Sequence, residues 1–336
     1  MSAPSHASVS LDVIAVNHVG RGVIAIEIGQ PPSPGGIGET PLEDWTPGAH
    51  IDVQTQDDSG RPVTRQYSLC GQQGARTWRF AVLADDSGRG GSRWLHQHVR
   101  PGARLQVRGP RNHFQLEADQ RPVVLVAGGI GITPLMTMAE ALYREGRRFR
   151  LCYHVRSRAS AAFLDELMAS AYADQVQLSV DDEGARPLDT LFTPDDAQGW
   201  VYTCGPAGFM NGVIAAATAC GVPAARVRRE LFAADETADA PAPAAGGDRS
   251  FVVKLHSSGR EITVPAGETV VHALARAGVD VVVSCEQGHC GSCLTRVLQG
   301  LPDHRDQFML PEEHARNDAF TPCCSRSLSS CLVLDL

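Results

Sequence analysis

The chain has 336 residues, 43% of them hydrophobic, with 30 Lys and Arg against 38 Asp and Glu and a net charge of -8. That length fits two or three domains with real cores, and the acidic balance argues against nucleic-acid binding. No stretch approaches the roughly eighteen apolar residues of a membrane span. Residues 1–20 show neither a basic n-region nor an apolar h-region, so a cytoplasmic protein is expected, and its ten cysteines are not read as disulfides.

Charge is uneven along the chain. Residues 1–232 hold 22 Arg and no Lys against 24 acids, whereas residues 233–336 hold 8 basic and 14 acidic residues. The acidic end suits docking onto a basic partner surface, and equally suits acids that solvate a small domain and a linker.

From residue 11 to about 115, short runs (LDVIAV, GVIAIEI, HIDVQ, RQYSL, WRFAVL, RLQV) alternate with Gly, Pro and Asp. This is the spacing of a small antiparallel β-barrel. The stretch 31–48 is too rich in Pro and Gly to be an element. On RQYSL, Arg65, Tyr67 and Leu69 face one way and Ser68 the other. Arg65 offers a phosphate fork, Tyr67 a flat face and Ser68 a hydroxyl for a ring nitrogen, although Arg and Tyr on a strand also make an ordinary solvated face. Gly88-Arg89-Gly90-Gly91-Ser92 precedes a helical stretch, SRWLHQHV, and forms either an anion-binding helix start or a plain turn.

From about residue 121 the texture becomes strand, Gly-rich turn, helix, strand: PVVLVAGGIGITPLMTMAEALYREG, then FRLCYHV. AFLDELMASAY reads as a helix, VQLSV and WVYTCG as strands, and AGFMNGVIAAATACG as a helix. This predicts a doubly wound parallel α/β domain. In Gly128-Gly129-Ile130-Gly131-Ile132-Thr133-Pro134, Thr133 is placed as N-cap and Pro134 at the first helical position. The glycines and the N–H donors at the helix start suit a pyrophosphate, and close packing of strand on helix also selects glycine. Cys204-Gly205-Pro206 ends a later strand at the carboxyl edge, where such sheets bind ligands. Arg156 and Ser157 after one strand, and Asp181 after another, stand where ribose hydroxyls are bound or are ordinary polar loop residues.

Residues 233–249, AADETADAPAPAAGGDR, lack large apolar side chains and read as a linker. The chain then divides into a barrel at 1–118, an α/β domain at 119–232, the linker, and an α+β domain at 250–336. The last carries Cys285-x4-Cys290-x2-Cys293, with Cys323 and Cys324 farther on. Three thiolates on one loop and a fourth from a distant segment can wrap a 2Fe–2S cluster, with Gly288 and Gly291 letting the loop curl. Zinc, the alternative, usually takes two short ligand pairs, and no partner pair follows Cys293. Nicotinamide delivers two electrons together and such a cluster takes one at a time, so a chain with both sites needs a flavin to split the pair, and the barrel is the place for it.

These motifs, in this order, resemble the ferredoxin–NADP reductase superfamily: RQYSL its R-x-Y-S/T flavin motif, GGIGITP its pyridine-nucleotide motif and CGP its nicotinamide-side motif. With a plant-type ferredoxin domain at the C-terminal end, nearly the whole chain resembles the phthalate dioxygenase reductase branch, which includes vanillate O-demethylase reductases. The resemblance implies FMN, NADH and a 2Fe–2S cluster, a β-grasp ferredoxin domain, and a monomer passing single electrons to a separate Rieske-type terminal oxygenase of an aromatic-ring oxygenase or O-demethylase. It places Arg65, Tyr67, Ser68, Gly91 and Ser92 around FMN, with Thr133 and Phe232 as further contacts. Gly128, Gly129, Gly131, Cys204, Gly205 and Pro206 would line the NAD site, with Arg156, Ser157 and Asp181 toward the adenosine. Ser68 and Cys204 are the expected catalytic residues. The cluster ligands would be Cys285, Cys290, Cys293 and Cys323, because the fourth cysteine of such proteins precedes x-Ser-Arg, as in Cys323-Cys324-Ser325-Arg326. Two features depart from the pattern: the length of the 31–48 loop and the cysteine doublet.

A self-sufficient oxygenase would need its own Rieske and non-haem iron sites. Cys152-Tyr153-His154 supplies a C-x-H, but no C-x2-H and no D/E-x2-H-x4-H pattern exists, so His154 reads as a strand-end polar residue and the substrate-activating iron is expected elsewhere. Two other readings stay open: a free-standing reductase for a quinone or another redox protein, and a cluster-based redox sensor. Arg156 or Arg158 would equally accept a 2′-phosphate, so NADH rests on resemblance and FMN on domain order.

Overall fold

The computed structural model describes residues 8–30, 42–85, 88, 90–184, 186–232 and 248–336. Most of the 31–48 loop, Arg89 and most of the 233–249 linker lie outside these residues. The chain forms two compact units, Met1–Glu230 and Leu231–Leu336.

The first unit opens with six strands, β1 (Val9–Gly20), β2 (Val23–Gly29), β3 (His50–Gln56), β4 (Pro62–Ser68), β5 (Thr77–Leu83) and β6 (Arg104–Arg111), and a helix, α1 (Gly91–His98). Their order is β4-β3-β6-β1-β2-β5, every pair antiparallel, and a Leu69–Phe80 bridge joins the two edges into a barrel. Closure removes the unpaired strand edges. The alternating apolar positions predicted from the sequence fill the interior with Leu11, Val13, Ile26, Ile51, Val53, Phe80 and Leu105.

The five strands that follow are β7 (Val123–Gly128), β8 (Phe149–Val155), β9 (Val176–Val180), β10 (Trp200–Cys204) and β11 (Val227–Glu230), with helices α2 (Ile132–Arg144), α3 (Leu164–Met168) and α4 (Ala207–Ala219) between them. They make an all-parallel sheet in the order β11-β10-β7-β8-β9. β7 is buried on both faces, which is why it reads as a continuous apolar run. Val123, Leu125 and Ala127 share a core with α2, whereas Val124 and Val126 share one with α4. The α2 core also takes in Val23, Ala25, Cys70 and Ala81 from the barrel, so barrel and sheet form one unit.

Two local expectations are corrected. The helix predicted at AFLDELMASAY shortens to the five residues of α3, entered through Phe163 in the left-handed region and followed by a separate 3-10 turn at Ala173–Gln175. Thr133 is not an N-cap. A 3-10 turn over Gly129–Gly131 runs straight into α2, Gly131 occupies the cap, and Pro134 falls third in the helix. Thr133 instead donates its hydroxyl to the carbonyl of Ile130, 3.1 Å away.

The second unit contains β12 (Phe251–Leu255), β13 (Glu261–Val264), α5 (Val270–Arg276), β14 (Thr295–Gln299), β15 (Pro302–Asp303), α6 (Pro311–Arg316), β16 (Ala319–Phe320), β17 (Arg326–Ser327) and β18 (Cys331–Leu334). Its main sheet runs β13-β12-β18-β14-β16, with β12 and β18 parallel and the other pairs antiparallel. α5, capped by the Thr269 hydroxyl, lays Val270, Ala273 and Leu274 on this sheet. A mixed sheet grasping one helix is the predicted α+β arrangement. Arg326, almost fully buried, donates to the carbonyls of Arg249, Pro265 and Glu268, and its guanidinium lies over Phe251. Replacing the fully buried Leu274 by Ala is expected to destabilise this unit by about 2–5 kcal/mol; calorimetry of the wild-type and variant chains checks this as a lower midpoint for the second unit alone.

Candidate functional site

The carboxyl edge of the parallel sheet is shaped by close approaches. A Cβ on Gly131 would lie 2.1 Å from the carbonyl oxygen of Cys204, and one on Gly128 2.7 Å from the Phe209 ring. Neither position can carry a side chain. Gly129, by contrast, has no atom within 4 Å of where its Cβ would be, so the turn is open on that side. The start of α2 has no side-chain cap, and the Ile132 N–H is taken by the Gly129 and Ile130 carbonyls of the preceding turn.

Cys204 ends β10 fully buried, in register with Ala127 of β7 on one side and Glu230 of β11 on the other. Ser68, at the end of β4, donates its hydroxyl to Glu230 Oε2 at 3.1 Å. The two predicted catalytic residues therefore meet around a carboxyl that the motif reading omits. Burial pushes the Glu230 carboxyl up to about 8, Ser68 opposing, and burial followed by the Glu230 charge pushes the Cys204 thiol well up. The available signal was the placement of a Glu at the end of the strand beside the Cys-Gly-Pro strand.

Around β4, Arg65 lies against the start of α1: a Cβ on Gly91 would sit 2.8 Å from Arg65 Cγ. Gly90 caps that helix in the left-handed region without a side-chain bond, so a second helix start stands beside a guanidinium. Tyr67 packs on Phe80 with ring centroids 5.3 Å apart, and Ser92 accepts the N–H of Asp85. Thr133 is buried against Ile130. Gly205 and Pro206 lead into α4. Phe232 is exposed and belongs to the second unit.

At the ends of β8 and β9, Arg156 and Asp181 are exposed neighbours, joined by the Asp182 N–H to the Arg156 carbonyl at 3.2 Å, while Ser157 is engaged with Ser160 in a capping box. Arg158 is held by both carboxylate oxygens of Glu183, at 2.6 and 2.9 Å. His154, read from sequence as a plain polar residue, is buried beside Gly128 with Nε2 unbonded and its ring 5.4 Å from Phe209.

In the second unit the four expected ligand cysteines are all buried. Cys285 is in hydrogen-bonding contact with Cys290 and Cys323, and Cys323 with Cys293, so the four thiols form one group. The neighbouring thiols hold Cys285 below the ordinary thiol range. Gln287 donates its N–H to Cys285 Sγ at 3.3 Å. Cys324 touches Cys323 but turns to Thr321 and sits where a Cβ on Gly288 would be, 2.5 Å away. Gly288 and Gly291 are both left-handed, at φ 74 and 72°, and a Cβ on Gly291 would meet the Phe308 ring at 2.3 Å. Four convergent buried thiols with a backbone N–H aimed at one of them fit an iron–sulfur cluster.

Residues 253–328 match the 2Fe-2S iron-sulfur cluster binding domain family. The chain is 44% identical over 293 residues to the vanillate O-demethylase oxidoreductase of a Pseudomonas species, covering 86% of this chain and 89% of the relative. The solved phthalate dioxygenase reductase aligns with 33% identity and a TM-score of 0.65 over 98% of both chains. A type IV self-sufficient cytochrome P450 monooxygenase aligns with 37% identity and a TM-score of 0.83, over 98% of this chain and 41% of the longer protein.

Because its folded pKa is raised from 4.5 to about 8, Glu230 contributes stability that is complete below the lower value and lost as pH rises through the upper one. Replacing Glu230 by Gln is expected to remove that decline, so melting midpoints of the wild type should fall relative to the variant between pH 4.5 and about 8 and run parallel above it.

Proposed function

Because the chain belongs to the family of phthalate dioxygenase and vanillate O-demethylase reductases, and is an oxidoreductase, we propose that it carries electrons from NADH through FMN and a 2Fe–2S cluster to a separate Rieske-type terminal oxygenase acting on an aromatic compound. The observation that carries this reading is the meeting of Ser68 from the barrel with Cys204 and Glu230 from the parallel sheet, in a chain that also gathers four buried thiols. Residues 1–118 would bind the flavin, 119–232 the nucleotide and 250–336 the cluster, with 233–249 as tether. The protein would work in the cytoplasm as a monomer.

A bound flavin supplies the conversion of a two-electron donor into single electrons. Arg65 and the α1 start would hold its phosphate, Tyr67 would support the ring and Ser68 would face a ring nitrogen. Glu230 keeps a proton at neutral pH next to the Ser68 hydroxyl, so Ser68 with this carboxyl forms a protonated, uncharged edge. Gly131 and Gly205 let the turn pack closely against the ends of β7 and β10, and a nicotinamide would lie beside Cys204 on the side left open at Gly129. Arg158 is occupied by Glu183, and Asp181 and Asp182 crowd the same end of the sheet. These carboxylates would repel a 2′-phosphate, which favours NADH. Cys285, Cys290, Cys293 and Cys323 would ligate the iron.

A second reading keeps the electron path and changes the acceptor to a haem oxygenase, which the likeness to the self-sufficient cytochrome P450 favours. Anaerobic titration with NADH, followed by absorbance, EPR and chromatography of the released flavin, is expected to show flavin bleaching, a rhombic reduced-cluster signal and FMN. Flavin reduction without the cluster signal would refute the path. Replacing Cys293 by Ser should abolish reduction of cytochrome c and spare reduction of ferricyanide by NADH; loss of both would contradict the proposed order.

A further inference from the structure

Beside the cysteine loop, the second unit brings three other donors together. One ligand atom each of His304, Asp306 and His314 lie within 4.8 Å of one another. Asp306 Oδ1 is 3.1 Å from His314 Nε2 and 3.9 Å from His304 Nδ1. Donors bound to one metal through bonds of about 2.0–2.2 Å stand roughly 3–4 Å apart, and both separations fall in that interval. The H-x-D-x7-H spacing belongs to no single helix face, which is why the sequence patterns sought for a metal triad pass over it.

Hydrogen-bond accounting shows what the cluster lacks. Asn317, the left-handed cap of α6, donates its amide N–H to the carbonyl of Ala315 at 3.3 Å. Its Oδ1 therefore faces His304 Nε2, 3.2 Å away, and that nitrogen carries the ring proton. Nδ1 is then a bare lone pair, buried and without a hydrogen-bond partner. Asp306 Oδ1 stands 3.9 Å from it, on a side chain with no solvent exposure whose Oδ2 accepts the Met309 N–H at 2.8 Å and whose Oδ1 accepts the His314 Nε2–H at 3.1 Å. Asp306 Oδ1 thus has a proton donor in His314, whereas the His304 lone pair has none; a buried lone pair without a partner is unfavourable, and a cation between it and the carboxylate would satisfy both.

We propose that His304, Asp306 and His314 form a binding site for a divalent transition metal of the zinc class, with three protein ligands and a water at the fourth position. Two imidazoles and one carboxylate are the donor set such ions take. Asn317 and the Met309 N–H fix the orientation of His304 and Asp306 as hydrogen bonds behind metal ligands do. His314, 26% exposed, leaves the open side toward solvent. The same segment supports the cysteine loop, since the N–H groups of Gln307 and Phe308 both donate to the Gly288 carbonyl. An ion there would tie that segment to α6.

The test uses the full chain with its iron cluster intact, treated with chelator and then titrated with Zn²⁺ by calorimetry while iron content and cluster absorbance are followed. One equivalent is expected to bind, with affinity reduced about 100-fold or more in His314→Ala and unchanged in His272→Ala. Zinc-edge X-ray absorption of the wild type should show imidazole and oxygen donors. Absence of zinc binding, equal binding in His314→Ala, or sulfur in the zinc coordination sphere overturns the proposal; the last readout decides even if a variant loses its cluster.

Discussion

The first unit depends on how tightly the start of α2 is pressed onto the end of β10. With no side chain at Gly131, the helix start reaches the Cys204 carbonyl, and this contact sets the depth of the carboxyl edge. Parallel pairing then carries β11 alongside, so that Glu230 stands level with Cys204. The core shared between α2 and the barrel delivers Ser68 to the same place. Three side chains remote in sequence are thus brought together by one glycine contact and two sheets, and the desolvation they share accounts for the perturbed Glu230 and Cys204.

A different solution holds the cysteines. Their loop has no regular secondary structure and cannot draw rigidity from a hydrogen-bond ladder. Its shape comes from what is wedged against it: Phe308 on Gly291, Cys324 and Asp306 on Gly288, and two N–H groups closing on the Gly288 carbonyl. Cys323 is held from the other side, because Ser325 accepts the Arg305 N–H and Arg326 is anchored to three carbonyls. The Ser-Arg pair after the cysteine doublet is thereby a structural fastener, whose buried charge is compensated by hydrogen bonds.

Legibility from sequence followed the range of the forces involved. The six barrel strands and the alternating strand–helix order were readable because burial imposes period 2 or a continuous apolar run on neighbouring residues. The cysteine grouping was readable because three thiols sit within nine residues of one loop. Glu230 was not, since a lone carboxyl after two arginines looks solvated until β10 is known to flank it. The capping expectation for Thr133 failed because a 3-10 turn consumed the residues that would have lain outside the helix. His304 and His314 were passed over because they are joined only by the fold of the segment between them.

The sheet of the second unit has one further consequence. Its middle position belongs to β18, which follows all four cysteines in the chain and pairs with both β12 and β14. Without β18 the sheet would fall into two separate pairs, β12 with β13 and β14 with β16. The strands that flank the cysteines in sequence, β14 and β16, are thus tied in the sheet to β12 and β13 by four residues that hold none of the clustered thiols, so the rigidity of the cysteine frame rests on a strand that contributes no ligand to it.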